Sequence, residues 1–322
     1  MKSILFASTA LVAFAGAAAA QGVTLTGSAE MGIFDNDNPA QNVQFHTDID
    51  VTFTLSGETD NGLTFGANID LDESIGDNND DDGLGESAAT RDDSQHGGAV
   101  IFISGNFGTL TMGDTDGALD WALQEVLFNS GSLQDNEEHG GYNGNAGLDG
   151  DYDGQILRYD NTFGAFGVAV SAEISDADVA NDDPILGLGL TYDLDLGGTA
   201  IGFGLGYQTR DDDEAIGLSI DAAFANGFAA GISYEDQEIS GNAAASYDHV
   251  GIGVGYTTGA ISLHANYGKF DFDNGSETDG FGLTAGYDLG GGASIQFGYG
   301  STDAPGTAGD LDTFSLGVAM SF

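Results

Sequence analysis

Residues Pro184–Leu194 read PILGLGLTYDL. Leu186, Leu188, Leu190, Tyr192 and Leu194 share one parity, and Gly187, Gly189, Thr191 and Asp193 share the other. An alternation of period two places the first set on one face of a β-strand and the second on the opposite face. The same code recurs in Ile201, Phe203, Leu205 and Tyr207, opposed by Gly202, Gly204, Gly206 and Gln208. It recurs again from Phe228 to Tyr234, from Ile261 to Tyr267 and from Phe281 to Tyr287. Each strand carries one apolar face and one small, polar face. A sandwich also makes such strands, so two further features are needed to decide the architecture.

The first is a tyrosine that closes the apolar face of strand after strand: Tyr192, Tyr207, Tyr234, Tyr256, Tyr267, Tyr287 and Tyr299. Amphipathic rings at a fixed height form an interfacial girdle, and the expectation is one such ring. The second is the alternation of connection lengths. Tight turns fall near residues 57–62, 105–108, 162–167, 195–198, 225–227, 257–259 and 290–292. Between them lie mostly longer, acidic connections near residues 35–44, 73–96, 114–153, 175–183, 210–213, 236–246, 271–279 and 301–310. Seven turns and eight longer connections join sixteen strands, with both chain ends on the short-turn rim. That count predicts an all-β fold, a sixteen-stranded antiparallel transmembrane β-barrel. Closure follows from physics, because hydrocarbon offers backbone amides no partner and only a closed sheet has no edge. The last strand, DLDTFSLGVAMSF, alternates Phe314, Leu316, Val318, Met320 and ends on Phe322.

The N-terminus reads MKSILFASTALVAFAGAAAAQG. A charged Lys2, an apolar run and small residues at Ala18 and Ala20 make residues 1–20 a signal peptide and residues 21–322 the barrel domain. The chain has 52 Asp and Glu against 5 Lys and Arg, a net charge of −47. Such a balance excludes nucleic acid as a partner and favours cations. With no cysteine there is no disulfide framework, thiolate metal site or cysteine nucleophile.

Two segments carry a family resemblance. GNFGTLTMGDTDGALD, Gly105–Asp120, resembles the pattern in which the fifth strand of a porin enters a long third loop, and LRYDNTFGAFGVAVSAE, Leu157–Glu173, resembles the following hairpin. With the signal, size and topology, the whole chain resembles the general diffusion porins of alphaproteobacteria. The resemblance implies an outer-membrane channel of a Gram-negative cell, assembled as a homotrimer, with the third loop folded into the lumen as a constriction. It also implies that Phe322 is read by the barrel assembly machinery and that the outer surface meets lipid and lipopolysaccharide. The pattern departs at Asp114, where many relatives carry a basic or neutral residue, which speaks against a strong basic cluster opposite the loop.

Such a pore passes small hydrophilic solutes without a chemical step, so no enzymatic activity is expected. Its constriction residues are expected to be Asp114, Asp116, Asp120, Glu125, Asp135, Glu137 and Glu138, with Arg158 facing the lumen because its parity opposes Leu157 and Tyr159. Rings of carboxylates favour cations, so cation selectivity is the expectation. Trp121, Leu123, Val126, Leu127 and Phe128 need a wall to pack against, which argues that the loop turns inward. The stretch DGDYDG, Asp149–Gly154, spaces Asp149, Asp151 and Asp153 as a calcium loop does, making Ca2+ an ion the loop could take. Position 12 holds Asp160 instead of Glu, and no flanking helix is expected.

Three other functions compete with this one. Ser262, His264 and Asn266 alternate on one strand face as a hydrolase would need, but neighbours two apart lie about 7 Å from each other, too far for a relay. A secreted calcium-binding adhesin would need a nonapeptide repeat that is absent. A substrate-specific channel differs from a general one by only a few pore side chains.

Overall fold

The computed structural model describes residues 22–37, 42–74, 99–152, 155–175, 183–306 and 309–322; the proposed signal peptide lies outside them. In chain order the strands are β1 (Gly22–Asp35), β2 (Gln44–Glu58), β3 (Thr64–Ser74), β4 (Val100–Gly105), β5 (Gly108–Asp114), β6 (Gln155–Phe163), β7 (Phe166–Glu173) and β8 (Ile185–Asp195). They continue as β9 (Thr199–Arg210), β10 (Asp213–Phe224), β11 (Phe228–Glu238), β12 (Tyr247–Thr258), β13 (Ile261–Phe272), β14 (Glu277–Gly290), β15 (Ala293–Asp303) and β16 (Leu311–Ser321). One short helix, α1 (Ala118–Ala122), lies between β5 and β6. Every strand pairs antiparallel with its sequence neighbours, and β1 pairs with β16 to close the barrel. The backbone of Phe322 completes the seam, its N–H donating to Gly27 O at 2.8 Å.

The polarity of the sheet is inverted relative to a water-soluble protein. Leu188, Leu205 and Ile220 on the outer face are each 43% exposed, whereas Gln208 and Ser219 on the inner face are at most 1% exposed. A wall of leucine, isoleucine, valine and phenylalanine around a polar interior is stable only where hydrocarbon replaces water outside.

The seven tight turns lie where the alternation of lengths puts them. On the opposite rim, two of the eight connections are also tight. Arg210 is followed by Asp213 across a left-handed Asp211 (φ 50°), and Phe272 by Glu277 across Gly275 (φ 85°), whose N–H donates to Phe272 O. The first has the bounds its sequence indicates, residues 210–213, whereas the second is shorter than the 271–279 that its acidic composition marked.

The tyrosines form two girdles instead of one. Tyr192, Tyr256 and Tyr287 lie near the ends of downward strands, at the short-turn rim, where Phe166 packs on Tyr192 and Phe228 on Tyr256 at centroid distances of 4.6 and 4.4 Å. Tyr207, Tyr234, Tyr267 and Tyr299 lie toward the ends of upward strands, at the long-loop rim. There the Tyr299 hydroxyl donates to Asp312 at 2.9 Å and that of Tyr207 to Glu214 at 3.2 Å, ring in the apolar wall and hydroxyl toward water. Consecutive antiparallel strands cross in opposite directions, so one position along each strand maps to alternate rims.

Candidate functional site: the third loop inside the barrel

The long connection from β5 to β6 turns into the barrel and lies along its inner wall. Its outward arm starts with α1, which packs on β7, β8 and β9. Ala118 N–H donates to Ser171 Oγ at 2.9 Å, Gln124 N–H to Ser219 Oγ at 2.8 Å and Phe128 N–H to His264 Nδ1 at 3.3 Å. Leu119, Leu123, Leu148, Ile185 and Ala215 form one buried cluster between loop and wall, and Val126, Phe128 and Ala229 a second. The apolar residues expected to need a wall have found one.

The wall accommodates the loop because it is glycine where the loop touches it. A Cβ on Gly206 would sit 2.8 Å from Leu119 Cα, and one on Gly255 2.7 Å from Phe128 Cβ. The alternating glycines that defined the strand pattern thus form the bed of the constriction. At its tip the loop reaches β1, β2 and β16, where Gln134 Nε2 meets His46 Nδ1 at 3.0 Å. The return arm is held by Asn266, which donates to Glu137 O at 2.8 Å, by His249 Nε2, which donates to Gly141 O at 3.0 Å, and by Gln208 Oε1, which accepts Leu148 N–H at 2.7 Å. His264 and Asn266, weighed as a relay in the sequence, instead hold the two arms of the loop.

The expected constriction residues divide into three groups. Asp116, Asp120, Glu125, Asp135 and Glu138 are half-buried or exposed on the loop. Burial, then the charges of Asp116, Glu125, Asp149 and Glu235, push Asp120 up to about 8. Burial, then Asp135, Glu125 and Glu137, push Glu138 up to about 7. Burial raises Glu125 while its hydrogen bond from Tyr142, 2.5 Å, acts the other way. Burial also raises Asp135, with Glu30 adding to it.

Glu137 is not on the free face of the loop. It is 4% exposed, and its carboxylate accepts Ser132 N–H at 3.0 Å and Ser132 Oγ–H at 2.5 Å, folding the loop tip on itself. Asp114 is still within β5, in register with Gln155, and shares the outward parity of Leu110 and Met112. The strand runs one residue further than its sequence indicates, which turns Asp114 away from the lumen face. Arg158 has the inward parity expected, but it is 7% exposed, donating to Asp116 O at 2.5 Å and lying 3.4 Å from Asp160.

The calcium-like stretch is committed elsewhere. Asp149 Oδ2 accepts Gly117 N–H at 2.8 Å, its Oδ1 accepts Gln208 Nε2 at 2.5 Å, and Asp151 pairs with Arg210 at 2.7 Å. Asp153 lies outside the described residues. Among the described residues no three His, Asp or Glu side chains converge to hold a metal ion.

The wall that the loop leaves uncovered carries acids that the sequence reading did not single out. Asp48, Asp50 and Asp70 have lumen parity on β2 and β3, beside Glu30 on β1. Asp50 accepts Ser28 Oγ–H at 2.6 Å and Asp70 accepts Thr52 Oγ1–H at 2.9 Å. Their signal was present in the alternation HTDIDVTFTL, in which the polar parity is largely Asp and Thr.

The chain matches the family described as Gram-negative porin over residues 7–307. It belongs to that family. A porin from Rhodobacter capsulatus is 31% identical over 93% of this chain and 100% of that protein. A porin structure refined at 1.8 Å is similar with a TM-score of 0.71 and 26% identity, covering 94% of this chain and all of that one. A triple mutant of Rhodopseudomonas blastica porin shares the fold at a TM-score of 0.68 and 18% identity, over 94% of this chain and 100% of that chain. This porin is therefore an outer-membrane channel and not an enzyme, and its third loop lies where a constriction belongs.

Proposed function

We propose that this porin is a general diffusion channel for small hydrophilic solutes that favours cations. The observation that carries this reading is the sign of the charge on both sides of the passage. The loop offers Asp116, Asp120, Glu125, Asp135 and Glu138, and the uncovered wall offers Glu30, Asp48, Asp50 and Asp70. The three described basic residues are all ion-paired: Arg158 with Asp160, Arg210 with Asp151 and Asp213, and Lys269 with Asp271 and Glu277. A passage lined by carboxylates raises the local concentration of cations and repels anions. The homotrimer, contact with lipopolysaccharide and reading of Phe322 by the assembly machinery belong to the same proposal. Phe322 is 79% exposed at the short-turn rim, where a binding partner can reach it.

The test is the reversal potential of the purified porin in a planar bilayer under a potassium chloride gradient. A potential of cation-permeable sign supports the reading. An anion-permeable sign would place the carboxylates away from the ion path.

A further inference from the structure

Beneath the third loop, on the side of the short-turn rim, lies a recess of about 300 Å3 that the loop's acids do not line. Its roof is Asn129–Gly131, and its floor is the lower ends of β12 to β15. Gly286 stands in register between Ser262 on β13 and Gln296 on β15, so a position without a side chain opens the floor between two polar ones. Ser130 Oγ lies over Gly286 with no accessible surface, so the polar side chains that can meet a ligand here are those of Asn129, Ser262, Asp288 and Gln296. Gln296 spends one amide hydrogen on Ser294 at 3.4 Å, and Asp288 spends one oxygen on Gly290 N–H at 2.7 Å. The remaining hydroxyl, amide and carboxylate capacity points to a ligand with many hydroxyl groups.

We propose that this recess is a weak binding site for a neutral polyhydroxylated solute of monosaccharide size, occupied on the periplasmic side of the constriction. Size and chemistry both select that class. The volume is at the lower end of the roughly 300–1,000 Å3 of small-molecule pockets, enough for one sugar ring. Its lining mixes the hydroxyl and amide groups of Ser262, Ser294 and Gln296 and one carboxylate, Asp288, with the apolar surface of Ile261 and Tyr287, whereas the constriction above is a field of acids; a neutral solute with polar edges and apolar ring faces gains contacts here and loses nothing to charge.

The experiment is the current noise of single channels in potassium chloride as D-glucose is added. Saturable noise is expected, with the half-saturating concentration rising about tenfold in Gln296→Ala and in Ser262→Ala, each of which removes a hydrogen-bonding group without burying anything new. The reversal potential should stay unchanged in both variants, which separates this site from the charge selectivity of the loop. Noise that grows linearly with glucose in the unaltered porin overturns the proposal whatever the variants do. So does saturable noise that both variants leave in place.

Discussion

The carboxylate of Asp149 closes the third loop on itself. It accepts Gly117 N–H at 2.8 Å across a separation of 32 residues, and it joins that closure to the wall through Gln208 at 2.5 Å. Burial pushes its pKa up to about 7, against the opposing pull of these two hydrogen bonds. Removing the side chain in Asp149→Ala strands both donors, at a cost of about 1–3 kcal/mol to the attachment of the loop. Thermal unfolding in detergent should fall and open-channel noise should rise; Asp149→Asn, which keeps an acceptor oxygen, should lie between. Unchanged noise in Asp149→Ala would show that the wall contacts hold the loop without it.

The apolar contacts of the loop make a separate prediction. Phe128 is buried against Ala229 and over Gly231, Gly253 and Gly255, so Phe128→Ala opens a cavity and releases the outward arm. The expected loss is about 3–5 kcal/mol, with a wider passage as its functional consequence. Single-channel conductance and the size cutoff in a liposome swelling assay should both increase. A drop in stability without a change in cutoff would mean that the loop stays in place through its hydrogen bonds to Ser171, Ser219 and Thr284.

The barrel was legible in the sequence because its rule is local. Parity fixes the face of each residue, and parity alone puts Arg158 on the inner wall and Leu188 on the outer. The constriction was less legible because its rule is tertiary. Glu137 and Glu138 are adjacent in a loop without periodicity, and only the path of the chain makes one a buried acceptor for Ser132 and leaves the other exposed. Asp114 was misplaced for a smaller reason: β5 continues through it, and within the strand it takes the outward parity of Leu110 and Met112. The bed of glycines was visible as a pattern, but its meaning depended on what lay against it.

The outer wall yields a prediction that is independent of the loop. Ile220 is near the middle of β10, facing outward between Phe203 and Ile232. Ile220→Arg places a charge in the hydrocarbon at a cost of about 2–4 kcal/mol, so folding into lipid vesicles should be weakened by that amount. Asp221→Asn, its inward neighbour, should fold normally. Equal folding of both variants with wild type would contradict the assignment of faces.

The acids of the loop predict how selectivity follows pH. Ordinary carboxylates are fully charged above about pH 5, so a pore lined by them keeps one selectivity from there upward. Asp120 is held at about 8 and Glu138 at about 7, in each case first by burial and then by neighbouring acids. Both are neutral below those values and become negative as the pH rises through them. The potassium-to-chloride permeability ratio should therefore climb between about pH 6 and pH 9, because each ionisation adds negative charge beside the ion path. Asp120→Asn should remove the upper part of the climb and Glu138→Gln the lower part, while channel formation persists in both. Reversal potentials measured at a series of pH values decide the matter. A flat profile over that range would mean that neither carboxylate faces the ions, and the selectivity would then have to come from Asp48, Asp50 and Asp70 on the uncovered wall.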